Sequence, residues 1–126
     1  MTPRVLFLDD SPTVLAQAEL LLGGRFDLEA CSDWIEANAA AHARPPDAVV
    51  VDWRLGPFMG TYLVSAFRTF FGPELPVVLI SADPAGAAAA AEAGATRFVA
   101  KDDLGDLPDL LTTLIAAPPG ARAQSA

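Results

Sequence analysis

Four short apolar runs punctuate the chain, and each ends on a polar residue. Val5-Leu6-Phe7-Leu8 runs into Asp9-Asp10, Ala48-Val49-Val50-Val51 into Asp52, Val77-Val78-Leu79-Ile80 into Ser81, and Phe98-Val99-Ala100 into Lys101. Runs this short, continuous and rich in β-branched residues predict strands buried on both faces of a parallel sheet. A weaker run, Phe26 to Cys31, sets Phe26, Leu28 and Ala30 against Asp27 and Glu29, the alternation of an edge strand. The segments between these runs have helical period. Ser11-Pro12 reads as an N-cap followed by a first-turn proline, with Val14, Leu15, Ala18, Leu21 and Leu22 on one face and Gly23-Gly24 as the stop. Residues 33–43 are Ala-rich and closed by Pro45-Pro46, and residues 60–71 carry Leu63, Val64, Phe67, Phe70 and Phe71 at helical spacing. Residues 83–93 are nearly all Ala after an Asp-Pro start, and a last helix from about Asp106 turns Leu107, Leu110, Leu111, Leu114 and Ile115 inward.

Five strands and five helices thus alternate. Parallel strands need right-handed crossovers, so the helices cover both faces of one sheet. The expected architecture is α/β, a flavodoxin-like (βα)5 doubly wound parallel sheet of order 2-1-3-4-5, with the first strand beside the third at a switch point. One domain over residues 1–116 is expected, followed by a disordered Pro/Ala/Gly-rich tail or linker over 117–126.

Composition narrows the classes. Sixteen Asp and Glu against eight Lys and Arg leave a net charge of −8, which argues against a nucleic-acid surface and against docking on anionic lipid. The hydrophobic fraction of 52% is inflated by 25 Ala residues, and no apolar run approaches the roughly 18 residues of a spanning helix. The N-terminus meets acid at Asp9 after four apolar residues, too short for a signal-peptide core. Cys31, the single cysteine, is expected to be a small buried hydrophobe. A cytoplasmic protein is the expectation. Seven of the eight basic residues are Arg, and Lys101 is the only lysine.

In an open parallel sheet ligands bind beyond the carboxyl ends of the strands, where Asp9, Asp10, Asp52, Ser81 and Lys101 all fall. The three acids come from strands flanking the switch point and should converge. Converging carboxylates repel, and the usual remedy is a hard divalent cation with oxygen ligands. Mg2+ binds through one or two carboxylates plus a phosphate, and a hydroxyl and an ammonium opposite suit phosphoryl oxygens.

This ordered set, Asp9-Asp10, Asp52, Ser81 and Lys101, with Pro57 and Gly60 in the loop after the central acid, resembles the receiver domain of bacterial two-component response regulators. The resemblance covers roughly residues 4–116 and is of the stand-alone, chemotaxis-regulator-like kind. It implies that Asp52 is the phosphoacceptor for a histidine kinase or phosphotransfer protein. It implies Mg2+ held directly by Asp10, largely through water by Asp9, by Asp52, and by the backbone carbonyl of Arg54. Lys101 would pair with the acids at rest and with the phosphoryl group afterwards. Ser81 would bind that group in the active state, and Phe98 occupies the place of the rotating aromatic switch. Such a protein signals by contact with a downstream protein target and is no enzyme beyond its own phosphorylation and dephosphorylation. Three departures stand out: Asp102 follows the lysine where most relatives have a proline in a cis peptide, Leu55-Gly56-Pro57 replaces Met-Pro, and the switch aromatic is Phe98, which lacks a hydroxyl to hold a surface-facing rotamer. A cis bond before Asp102 would cost about 2.5–4 kcal/mol, so the loop is expected to take another path. Arg54 and Asp83, two residues after Asp52 and Ser81, are expected to meet at the rim.

Other readings share parts of this pattern. An interaction module of the same fold could work without phosphorylation, although the full acid set speaks for chemistry. A flavodoxin-like cofactor binder needs a phosphate-cradling first loop, and Asp9-Asp10-Ser11-Pro12 would repel phosphate. A haloacid-dehalogenase-type phosphatase wants its two acids one residue apart, and Asp9 and Asp10 are adjacent. Phe98 is nearly as well explained as core filler, and His42 as a helix-end residue. With no further domain after residue 116, the chain is either a stand-alone receiver or part of a longer one.

Overall fold

The computed structural model describes residues 2–55 and 58–117; Pro57 and segment 118–126 of the expected tail lie outside the described residues. Five parallel strands, β1 (Arg4–Leu8), β2 (Asp27–Cys31), β3 (Ala48–Asp52), β4 (Val77–Ser81) and β5 (Arg97–Ala100), form one sheet of order β2-β1-β3-β4-β5. The helices between and after them are α1 (Pro12–Leu22), α2 (Trp34–Ala43), α3 (Gly60–Phe71), α4 (Gly86–Ala93) and α5 (Leu107–Ala116). The fold is the expected doubly wound, flavodoxin-like sheet.

Strict alternation along each strand splits the core into two layers. Val5, Phe7, Val50, Val78 and Ile80 pack with Ala18 and Leu22 of α1 and with Leu107, Leu111 and Leu114 of α5. Leu6, Leu8, Val49, Val51 and Leu79 face the other way, onto Ala37 and Ala41 of α2, Leu63, Val64 and Phe67 of α3, and Ala90 of α4. Each buried Leu, Val or Phe contributes roughly 1.5–3 kcal/mol, so the two layers supply most of the driving force. Phe26 is buried, but within β2 both sets of alternating residues are half-buried up to Cys31, because an edge strand in this fold still has a helix over each face.

The helix ends follow local chemistry. Ser11 caps α1, its hydroxyl accepting from Val14 N at 3.3 Å, and Asp33 caps α2 by accepting from Glu36 N at 2.8 Å. Gly94 ends α4 at φ 82°, a left-handed turn that costs other residues strain.

Four details depart from the pattern-based expectations. Leu21 lies at the border of the buried stripe of α1 and is exposed, with Leu20 87% exposed beside it. Phe70 is also turned outward, 59% exposed, with its ring edge-on to His42 at 5.0 Å. The Asp83-Pro84 start forms a turn rather than helix: Asp83 Oδ1 accepts from Ala85 N at 2.9 Å, and α4 begins at Gly86. A short polar side chain that satisfies its own neighbours' amides competes with the helix. Finally, Arg54–Leu55 pairs antiparallel with Phe58–Met59, a pairing of two-residue strands that the hydrophobic pattern does not signal.

Candidate functional site

β1 and β3 are neighbours in the sheet, so Asp9 follows one strand and Asp52 ends the next at the same edge. One carboxylate oxygen each from Asp9, Asp10 and Asp52 lies within 4.8 Å of the others. Asp9 is fully buried, Asp52 is 4% exposed, and Asp10 faces solvent. Asp9 Oδ1 accepts from Ser11 N at 2.8 Å, which fixes the loop before α1. Its Oδ2 is buried and pairs with Lys101 Nζ at 2.9 Å. The same ammonium stands 3.4 Å from Asp52 Oδ1.

One cation therefore serves two buried carboxylates. Burial, and then the charge of Asp9, push the Asp52 carboxyl up from 3.8 to about 6, against the pull of Lys101 and of a backbone hydrogen bond from Arg54. Burial also opposes charge on Lys101, but hydrogen bonding and attraction to Asp9, followed by Asp52, outweigh it and hold that ammonium above its ordinary value. The cluster is short of positive charge. Three clustered carboxylates, two of them buried and sharing one ammonium, are hard donors that fit a small divalent cation.

Lys101 is positioned by an unusual loop. Lys101–Asp106 forms a 3-10 segment, kinked at Asp103, that leads directly into α5, and no peptide bond among the described residues is cis. Leu104 in this turn is buried against the α1/α5 layer, an apolar anchor for the acidic loop. Asp102, Asp103 and Asp106 point outward.

The loop after Asp52 closes back on the strand. Gly60 N donates to Trp53 O at 2.6 Å. A Cβ at Gly60 would collide with the Asp52 carbonyl and lie 2.8 Å from Trp53 Cα, so the close approach requires glycine. Ser81, 4% exposed, accepts from Asp83 N at 3.0 Å through its hydroxyl oxygen and keeps its hydrogen to donate. Arg54 and Asp83 meet at the rim at 3.3 Å, and the Arg54 guanidinium also lies 4.8 Å from the centre of the Trp53 ring.

With this geometry in place, the family profile of the response regulator receiver domain matches residues 5–112. The chain belongs to that family. Among similar proteins, the transcriptional regulatory protein PrrA of Mycobacterium tuberculosis is 34% identical over 119 residues, covering 91% of this receiver and 48% of the relative. The receiver thus spans about half the length of the curated relatives it matches. The N-terminal signal receiver domain of a two-component system response regulator from Bacteroides fragilis superposes with a TM-score of 0.84 at 24% identity, covering 94% of this receiver and all of that chain. The chemotaxis response regulator CheY4 of Vibrio cholerae gives 0.74 at 22%, covering 90% and 95%. At such identities these two speak for the fold.

Asp9, Asp10, Asp52 and Lys101 come together in this receiver, while Ser81, Arg54 and Asp83 line the adjoining loop. Phe98 lies farther out, half-buried in the α2–α4 layer. Pattern reading overlooked Gly86: its missing side chain leaves room where Phe98, Ser81 and Trp53 approach one another. The signal was a glycine interrupting an alanine run. Cys31 is buried, and burial pushes its thiol up to about 12, which leaves it inert.

Proposed function

We propose that this receiver accepts a phosphoryl group from the phospho-His of a histidine kinase or phosphotransfer protein onto Asp52. The observation that carries the reading is the buried Asp52 carboxylate with Lys101 Nζ 3.4 Å from one oxygen and oxygens of Asp9 and Asp10 clustered beside it. Mg2+ fits the acidic cluster: Asp10 and Asp52 would hold it directly, Asp9 largely through water, and the Arg54 carbonyl would complete the protein's share. Bound there, the ion would neutralise the carboxylates and the phosphoryl oxygens.

An oxygen of Asp52 attacks phosphorus, the P–N bond breaks, and its electron pair stays on the imidazole nitrogen. No separate base is needed, because a carboxylate carries no proton to remove. Catalysis is positioning and charge neutralisation. Lys101, held charged by Asp9 and Asp52, moves its attention to the phosphoryl oxygens, and Ser81 donates its hydroxyl hydrogen to one of them. Phe98 responds as the aromatic switch. The Arg54–Asp83 pair would hinder the water that hydrolyses the acyl phosphate. The output is contact with a downstream protein in the cytoplasm.

The test is incubation with acetyl phosphate and Mg2+. Acid-labile phosphate should appear on the wild type and vanish in Asp52→Asn. Labelling of that variant at wild-type level would move the acceptor elsewhere.

A further inference from the structure

Gly86 opens α4, and the place where its Cβ would stand is crowded. That position lies 2.8 Å from Phe98 Cε1, 3.0 Å from Ser81 Cβ and 3.3 Å from Trp53 Cε3. Real Cβ atoms essentially never approach another heavy atom to 2.8 Å, so a side chain here would have to displace something. The three neighbours differ in freedom. Ser81 belongs to β4, which is hydrogen-bonded between β3 and β5 and buried throughout. Trp53 is tied by its backbone N–H to Ile80 O at 2.9 Å and by its carbonyl to Gly60 N. Phe98 lies on β5, at the sheet edge, and the approaching atom is on its ring, the far end of a side chain that two torsions can swing away. The ring is the part that gives.

We propose that Gly86 is a positioning residue: its missing side chain is the space that lets the Phe98 ring lie against the first turn of α4, on the side that Ser81 also borders. Trp53 forms the opposite wall. The side chains of Trp53, Ser81 and Phe98 thus all border the point that a Cβ at residue 86 would occupy. The movement of Ser81 and Phe98 belongs to the function proposed above; what is new is that Gly86 sets the room in which it takes place. The inference rests on the function proposed above for its signalling consequence, while the contact itself stands apart from it.

The experiment has two arms. The first needs no phosphoryl chemistry: thermal unfolding of wild type, Gly86→Ala, Phe98→Leu and the double variant. Phe98→Leu should destabilise the wild type by emptying the space, and should recover stability in the Gly86→Ala background by removing the colliding ring. An equal Phe98→Leu penalty in both backgrounds would overturn the contact. The second arm compares acetyl phosphate labelling with Trp53 fluorescence on adding beryllofluoride and Mg2+. Gly86→Ala should be labelled at Asp52 as the wild type is, since no atom of residue 86 belongs to the acceptor site. Its half-saturating beryllofluoride concentration should rise up to about tenfold, the effect of a side chain held off its preferred rotamer, and most of the fluorescence change should be lost. A wild-type response in Gly86→Ala would overturn the coupling. A wild type that takes no phosphoryl group overturns the proposed function, and the first arm then still decides the contact.

Discussion

The two ends of the sheet handle buried charge in opposite ways. At the amino ends of the strands, Arg4 and Arg68 are wrapped in acceptors. Arg4 Nε donates to Arg44 O at 3.0 Å, its guanidinium meets Glu29 at 3.4 Å, and its backbone exchanges two 2.8 Å hydrogen bonds with Asp47. Arg68, on α3, donates to the carbonyls of Pro73, Leu75 and Gly94 and to the hydroxyl of Thr96, clasping the entries to β4 and β5. At the carboxyl ends, one ammonium faces two buried carboxylates with a third beside them. At the first end the arginines are met by acceptors and stabilise; the other end is left short of positive charge, which is the imbalance the proposed function uses. Stability and function are separated along the strand direction, and substitutions at the two ends should have opposite signatures.

The sharpest break is Asp52→Asn, which should abolish acid-labile phosphate incorporation and yet make the metal-free protein more stable. Because folding raises the Asp52 pKa from 3.8 to about 6, the native state holds this proton more tightly than the unfolded chain does. The contribution is complete below about 3.8 and is lost as pH rises through about 6, a difference of roughly 3 kcal/mol. Denaturant unfolding with a chelator present should therefore show wild type and Asp52→Asn converging near pH 4 and separating by up to that amount at pH 7. Parallel pH profiles would contradict the unbalanced site. Adding Mg2+ at pH 7 should narrow the gap by stabilising the wild type alone.

Arg68→Ala should do the reverse, losing roughly 2–3 kcal/mol of stability as charged donors are withdrawn from carbonyls, while labelling at Asp52 survives at temperatures where the variant is folded. Loss of labelling in folded Arg68→Ala would show that the two ends are not independent. Lys101→Arg sharpens the comparison, because it keeps the charge but exchanges a compact ammonium for a planar fork. Its melting temperature should stay close to wild type while the Trp53 response to beryllofluoride is blunted, and a fully responsive variant would count against the role of Lys101.

The smallest effect belongs to the rim. The Arg54–Asp83 pair is exposed, so it contributes only about 0–1 kcal/mol to stability. Arg54→Ala and Asp83→Ala should each speed spontaneous dephosphorylation, with the double variant adding little. Independent, additive rates would separate the pair from the gate.

Much of this was written in the order of residues. Short β-branched runs ending on Asp, Ser and Lys dictate parallel strands and deliver their polar ends to one edge, since a parallel sheet points every strand the same way. Caps such as Ser11 and Asp33 act on amides within three residues, and a chain segment carries that information whole. What the tertiary structure alone decided involves partners far apart in sequence: that one ammonium at residue 101 answers residues 9 and 52, that Arg68 clasps the loops entering β4 and β5, that Phe70 turns to His42 instead of the core. The emptiness at Gly86 belongs to the same class. A missing Cβ has no pattern of its own, and it acquires meaning only when β4, β5 and the turn after β3 bring Ser81, Phe98 and Trp53 to the same point.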